Sequence, residues 1–222
     1  MERDGRLHRF KGTVMAAKRM HPLVKIAIGI VVVAVGGWLF VRSAQSARAE
    51  PYQVSARHLQ DWTLGIDTAA DSQGSVVSLR PPPELPMNLF RQLFSRQMES
   101  MGTPSQPGIP LALRLELPAT VTPEQVLALA QSAGLDRAAI APKCVGYRRV
   151  SAVGATRQLY YLLFNVSGFE GFRAALGQQA GPAFKPDALS PVLMMAAEPD
   201  FTRWMPIGAD AGRDCIAPVD VE

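Results

Sequence analysis

The chain has 222 residues, 48% of them apolar and 19% charged, with two cysteines and a net charge of +4. That is too apolar for a disordered chain and too poor in cysteine for a disulfide-dense scaffold or a closed zinc site built from cysteines alone. The charge is unevenly placed: residues 1–49 hold nine Lys/Arg against two Asp/Glu (+7), and residues 50–222 hold fourteen against seventeen (−3). The bulk of the chain is therefore mildly acidic without a basic stripe, which argues against nucleic-acid binding.

Residues 1–22 read as a basic leader, with Arg3, Arg6, Arg9, Lys11, Lys18 and Arg19. Next comes an uncharged run from Ile26 to Val41, in which Ile26, Ile30, Val33, Trp38 and Phe40 are the anchor side chains. As a helix those sixteen residues span roughly 24 Å, and Leu23–Val41 spans about 28 Å, against a hydrocarbon core about 30 Å thick. Lys25 can snorkel, and Trp38 suits an interfacial position. No polar stripe marks this segment as the outer helix of a globular core. Seven cations precede it and only Arg42 and Arg48 follow, so the N-terminus is expected in the cytoplasm and the C-terminal part outside. The basic leader is expected to meet anionic lipid. A secretory signal is the competing reading, because Ala47-Arg48-Ala49 before Glu50 has a small-x-small cleavage pattern.

Residues 42–60 read as a juxtamembrane linker and residues 61–222 as one extracytoplasmic domain. Trp62, Leu64 and Ile66 alternate with polar neighbours, predicting a strand over about 61–67, with Ser75–Leu79 as its partner. Glu84–Met101 predicts a helix whose apolar face carries Leu85, Leu89, Leu93, Phe90, Phe94, Met98 and Met101, ended by Gly102. Leu111, Leu113, Leu115 and Leu117 alternate and predict a half-buried strand. Thr122-Pro123-Glu124-Gln125 is a capping-box helix start, and Gly134 is its stop. Val145–Val153 and Gln158–Val166 predict a hairpin whose second arm is apolar on both faces and hence central. A helix over Phe169–Gln179 and a strand over Pro191–Ala197 follow. Phe201–Ile207 reads as a partner strand across Glu198-Pro199-Asp200, and the tail from Gly208 reads as loop. Short hairpins mixed with helices predict an α+β domain: a mostly antiparallel sheet with about three helices packed on it.

Cys144 and Cys215 both fall on the outer side, where a disulfide is permitted; two separate buried thiols are the alternative. Catalytic signatures are sparse. His58 is the one histidine after residue 21 and reads as an exposed or capping residue. Lys143 and Lys185 sit in no Ser-x-x-Lys motif. The acidic pairs Asp67/Asp71, Glu198/Asp200 and Asp210/Asp214 lie in turn-rich segments, where Asp commonly caps. Tyr147, Arg148 and Arg149, with Tyr160-Tyr161, form a candidate binding surface for an anion or glycan, against a plain solvated hairpin face. No phosphate loop, metal-ligand set, cofactor motif or catalytic constellation stands out. The reading is a single-pass protein of the inner (plasma) membrane that presents a non-catalytic binding or assembly module to a protein partner in the envelope. The alternative is an enzyme or small-molecule binder released by cleavage near Ala49.

Overall fold

The computed structural model describes residues 26, 28–39, 50–67, 74–97, 100–152, 155–198 and 208–222, in two compact units, 1–44 and 45–222. In the first, residues 28–39 form helix α1, with Ile30 and Val33 among its most exposed side chains (65% and 74%). Among the described residues no helix is long and apolar enough to cross a membrane. The expected span 23–41 is described only at 26 and 28–39; Phe40 and Ala47-Arg48-Ala49 lie outside the described residues.

The second unit is α+β. Its strands are β1 (Tyr52–Val54), β2 (Thr63–Ile66), β3 (Ser75–Arg80), β4 (Ile109–Leu113), β5 (Ile140–Ala152), β6 (Ala155–Val166), β7 (Val192–Ala197) and β8 (Cys215–Val221). Its helices are α2 (Glu84–Gln97), α3 (Pro123–Ser132), α4 (Phe169–Ala180) and the short α5 (Ala211–Asp214). The strands form a five-stranded sheet, β1-β8-β5-β6-β7, and a three-stranded antiparallel sheet, β2-β3-β4. The larger sheet is mixed, because β1 runs parallel to β8 while its other pairs are antiparallel. The single sheet expected from sequence is therefore two.

Local chemistry explains most elements. Thr122 Oγ1 accepts the Gln125 N–H and Gln125 Oε1 accepts the Thr122 N–H, so α3 starts on the predicted capping box. Gly134, at φ 74°, ends it in the left-handed region that glycine favours. Val126 and Ala130 of α3, Leu85, Leu89 and Leu93 of α2, and Phe169, Phe172 and Leu176 of α4 are buried in one core with Leu162 and Phe164 of β6. There Trp62 meets Phe164 edge to face at 5.4 Å. Burying each of the larger of these side chains contributes roughly 1.5–3 kcal/mol.

Five expectations need correction. The linker assigned to 42–60 contains β1 and a 3-10 turn at Ala56–Leu59, because Tyr52–Val54 pair with Val219–Val221. Helix α2 is described over Glu84–Gln97, Ser100 and Met101 are not helical, and Gly102 makes a two-bond bridge to Ala197 of β7. Phe94 is 54% exposed, about 100° around the helix from buried Leu93. The strand expected over 111–117 stops at Leu113, and Leu115 is 58% exposed. There Glu116 accepts the Leu113 N–H (2.9 Å) and turns inward to Arg173, so the chain folds into a 3-10 turn instead of extending. Lastly, the tail from Gly208 is not loop: it forms α5 and β8. The expected strand Phe201–Ile207 lies outside the described residues.

Candidate functional site

Strand alternation separates the three residues of the expected hairpin surface. Tyr147 stacks on its register partner Tyr160 (ring centroids 4.8 Å apart), donates to Gln158 Oε1 (2.7 Å) and accepts from Arg149 Nε (2.7 Å). Arg148 points to the opposite face, where it pairs with Asp214. Tyr147, Arg148 and Arg149 are therefore not one surface.

The cluster that receives Arg148 is the most strongly perturbed electrostatic site among the described residues. Asp210 caps α5 by accepting the Gly212 (2.7 Å) and Arg213 (3.2 Å) N–H groups. That turn places Asp214, itself buried, against β5, where it accepts from Arg213 Nε (2.8 Å), the Asp210 N–H (2.9 Å) and Arg148 Nη2 (2.5 Å). The Arg213 bonds, with those from the Asp210 amide and Arg148, hold the Asp214 carboxyl far below the usual carboxylate range despite its burial. Beside it lies the fully buried Tyr161, which burial and the neighbouring Asp214 charge push far above the ordinary phenol value. No residue but glycine fits opposite Tyr161, since a Cβ on Gly146 would lie 2.6 Å from Tyr161 Cζ.

The disulfide joins Cys144 to Cys215 across the same face, with Cα atoms 5.7 Å apart and the two residues 71 positions apart in sequence. Cys144 and Cys215 are therefore bonded, the first of the two outcomes the sequence left open. Because Cys215 directly follows Asp214, the covalent and ionic links fix one short segment to β5.

The other singled-out residues are spread over the second unit. His58 is buried (4% exposed), not exposed as expected. It accepts from Arg57 Nε through Nε2 (3.2 Å), which places the neutral ring's proton on Nδ1. That atom is buried and finds no partner among the described residues. The backbone carbonyl of His58 accepts the Trp62 indole N–H (3.1 Å), which draws the turn inward. An open cleft of about 710 Å³ beside it is lined by Arg57, Asp61, Thr63, Pro81–Pro83 and Glu84. Asp67 pairs with Arg80 (2.8 Å) and Ser78, and Glu198 with Arg157 (2.8 Å); Asp71 and Asp200 lie outside the described residues.

Another cleft, about 870 Å³, lies where the β5–β6 ends meet the first turn of α4. Its charged lining is mixed, with Lys143 and Arg173 beside Glu170, Asp187 and Asp210, so it does not select one sign of ligand charge. Among the described residues no group of three or more His, Cys, Asp or Glu side chains can hold a metal ion.

Two clusters escape the sequence reading. Arg173 is 1% exposed and donates to both Glu116 oxygens (2.7 and 3.1 Å) and to the carbonyls of Leu111, Lys185 and Pro186. Its signal was its position, beside Phe172 and one turn from Phe169 and Leu176 on the apolar stripe. At the open edge of β1, Gln92 of α2 accepts the Gln53 N–H (2.9 Å) and donates to the Gln53 carbonyl (2.8 Å). Arg96 donates to the carbonyls of Glu50 and Pro51 and lies 4.0 Å from the Tyr52 ring centroid. Together they occupy the edge that another strand would otherwise find.

Comparison with protein-family models, with curated proteins and with solved structures finds no match to this chain.

Proposed function

We propose that this is a single-pass membrane-anchored protein whose 50–222 body is held outside the cytoplasm as a non-catalytic binding or assembly module of an envelope complex. Its partners in this reading are membrane lipid and another envelope protein, and it has no nucleic-acid role. The observation that carries the reading is the apolar segment. Residues 28–39 are helical and expose Ile30, Val33 and Trp38, and a cation-rich flank precedes them. Exposed side chains of this kind suit lipid better than water. The bonded cysteines suit an oxidising compartment. For a binding role, support comes from Asp67, Glu116, Glu198 and Asp214, each of which pairs with an arginine instead of standing ready as a base.

Alkaline carbonate extraction with protease protection tests the reading. The chain should stay with the membranes, and protease from the outer side should remove 50–222 while sparing the leader. Release into the supernatant with an intact mass lacking residues 1–49 would replace it with the second reading, a freed enzyme or small-molecule binder. One sequence feature favours that alternative: the small-x-small triplet Ala47-Arg48-Ala49 directly precedes Glu50, and β1 starts at Tyr52.

A further inference from the structure

The clefts beside α4 and beside His58 each contain one buried polar side chain, and only one of the two is satisfied. In the first, Arg173 is fully engaged by Glu116 and three carbonyls. In the second, one wall is the 3-10 turn Ala56–Leu59 and the start of β2, which bring Arg57, His58, Asp61 and Thr63. The opposite wall is Pro81–Pro83 with Glu84, where the chain passes from β3 into α2. The turn is fixed from behind: the Ala56 N–H donates to the Glu222 carbonyl (2.7 Å) and the Trp62 indole to the His58 carbonyl (3.1 Å). His58 is the one buried residue of this lining. Its Nε2 is occupied by Arg57 Nε, while its Nδ1 has no partner among the described residues. A buried donor without an acceptor is destabilising and uncommon in native folds, so this one calls for an explanation.

The polar groups around it are equally unengaged. The side chains of Asp61, Thr63 and Glu84 make no hydrogen bond or ion pair among the described residues, whereas Asp67, Glu116, Glu198 and Asp214 are each paired with arginine. Asp61 sits at φ 58°, the one non-glycine residue with positive φ among the described residues. Aspartate tolerates that conformation, and the bend brings it into the lining. His58, Asp61 and Glu84 do not form a group that could hold a metal ion. What the cleft presents is a guanidinium beside a neutral donor, two carboxylates, and a wall of three prolines. Carboxylates disfavour a simple anion there and Arg57 disfavours a simple cation, whereas a molecule that carries both charges can satisfy both. We propose that this cleft binds a zwitterionic α-amino acid with an apolar or aromatic side chain. The ligand carboxylate meets Arg57 and supplies the acceptor that His58 Nδ1–H lacks. Its ammonium meets Asp61 and Glu84, and its side chain lies on the prolines. The inference goes beyond the reading above and holds for an anchored or a released body, because every lining residue lies within 50–222.

Titration of the full chain with L-phenylalanine tests this, followed by saturation-transfer NMR and by the ring-nitrogen signals of isotope-labelled histidine. Replacing His8 and His21 with glutamine leaves His58 as the one histidine observed. L-Phenylalanine should bind saturably and shift the His58 ring nitrogens. Phenethylamine, which lacks the carboxylate, and hydrocinnamate, which lacks the ammonium, should each bind at least about tenfold more weakly, as expected for loss of a charged hydrogen bond. Of the two, only hydrocinnamate should still shift the His58 ring. The exposed pair of changes Asp61→Asn and Glu84→Gln leaves the core intact and should weaken L-phenylalanine at least about tenfold without weakening hydrocinnamate. Absence of saturable L-phenylalanine binding overturns the proposal. Equal binding of all three compounds does so too, since it would reduce the site to adhesion on the prolines. Binding that leaves the His58 ring and the double variant's affinity unchanged places the ligand elsewhere and also overturns it.

Discussion

Strand β6 is buried on both faces, and the two faces are held down in different ways. On one, Tyr160, Leu162 and Phe164 pack into the core with α2, α3 and α4. On the other, Leu159, Tyr161 and Leu163 lie against Val192, Met194 and Cys144, with Ala209, Ala211 and Cys215 of the tail packed over them. The first cover consists of helices of ten to fourteen residues that bring their own apolar stripes. The second includes a four-residue helix, far too short to hold its shape alone. Where buried area is small, other bonds must fix the cover in place. The disulfide and the Asp214 pairs with Arg148 and Arg213 do that.

This contrast can be broken from either side. The largest effect is expected on the helical side, at Arg173. Arg173→Met strands the Glu116 carboxylate and three carbonyls in the core, and should lower stability by about 3–5 kcal/mol in urea unfolding. Adding Glu116→Leu should recover part of that loss, since the unpaired charge is gone but the carbonyls of Leu111, Lys185 and Pro186 remain without their donor. Full recovery would mean that the carbonyl bonds contribute nothing.

Next comes the disulfide. Replacing both cysteines with alanine opens a loop of 71 residues and should cost about 4 kcal/mol in the chain-entropy view. The position of the loss is more informative than its size. Strand β1 is bonded in the sheet only to β8, and β8 is fixed to β5 by the disulfide. Hydrogen exchange should therefore rise at 52–54 and 215–221 well before it rises at 159–164. Uniform loss of protection would show that the second face is not a separately secured layer.

The helical face was largely legible in the sequence, and the latched face was not. Helical stripes, the capping box at Thr122 and the 145–166 hairpin are periodic or local signals, and the structure follows them. The doubly apolar arm also announced that β6 is central. The tail carried no period: Cys215–Val221 contains a proline and an aspartate, and it becomes a strand because β5 and β1 flank it. Arg148 and Asp214 are 66 residues apart, and only the topology brings them together. Leu115 misled because a perfect alternation was overruled by one inward carboxylate at Glu116.

The ionic half of the latch predicts a pH dependence with two windows. The Asp214 carboxyl is depressed in the fold, so the folded state binds its proton less readily than the unfolded chain does. Its contribution is complete above the unfolded carboxyl value, about 3.9, and is lost as pH falls below it. Tyr161 is raised, so its neutral form is favoured in the fold, and that contribution is lost as pH climbs past the unfolded phenol value of about 10. Asp214→Asn should remove about 1–3 kcal/mol at neutral pH, flatten the acid limb of a Tm–pH curve and soften the alkaline limb, which burial of Tyr161 still sustains. An unchanged acid limb would place the acid-labile group elsewhere.

The smallest effect is expected at Phe94, and it sharpens the comparison by extending it to a helix. α2 turns Leu85, Leu89 and Leu93 into the core, with Phe90 packed at its margin, and leaves Met87 and Phe94 exposed. Leu93→Ala should cost about 2–5 kcal/mol, as truncation of a buried leucine does. Phe94→Ser, one residue on, should change stability by less than about 0.5 kcal/mol, because the side chain it removes is already more than half exposed. A loss above about 1 kcal/mol at Phe94, beyond what an ordinary surface change gives, would mean that its contact with Phe90 extends the core outward. A near-zero effect, with both variants still folded, would show that α2 holds to the core through Leu85, Leu89 and Leu93 and that Phe94 lies outside it.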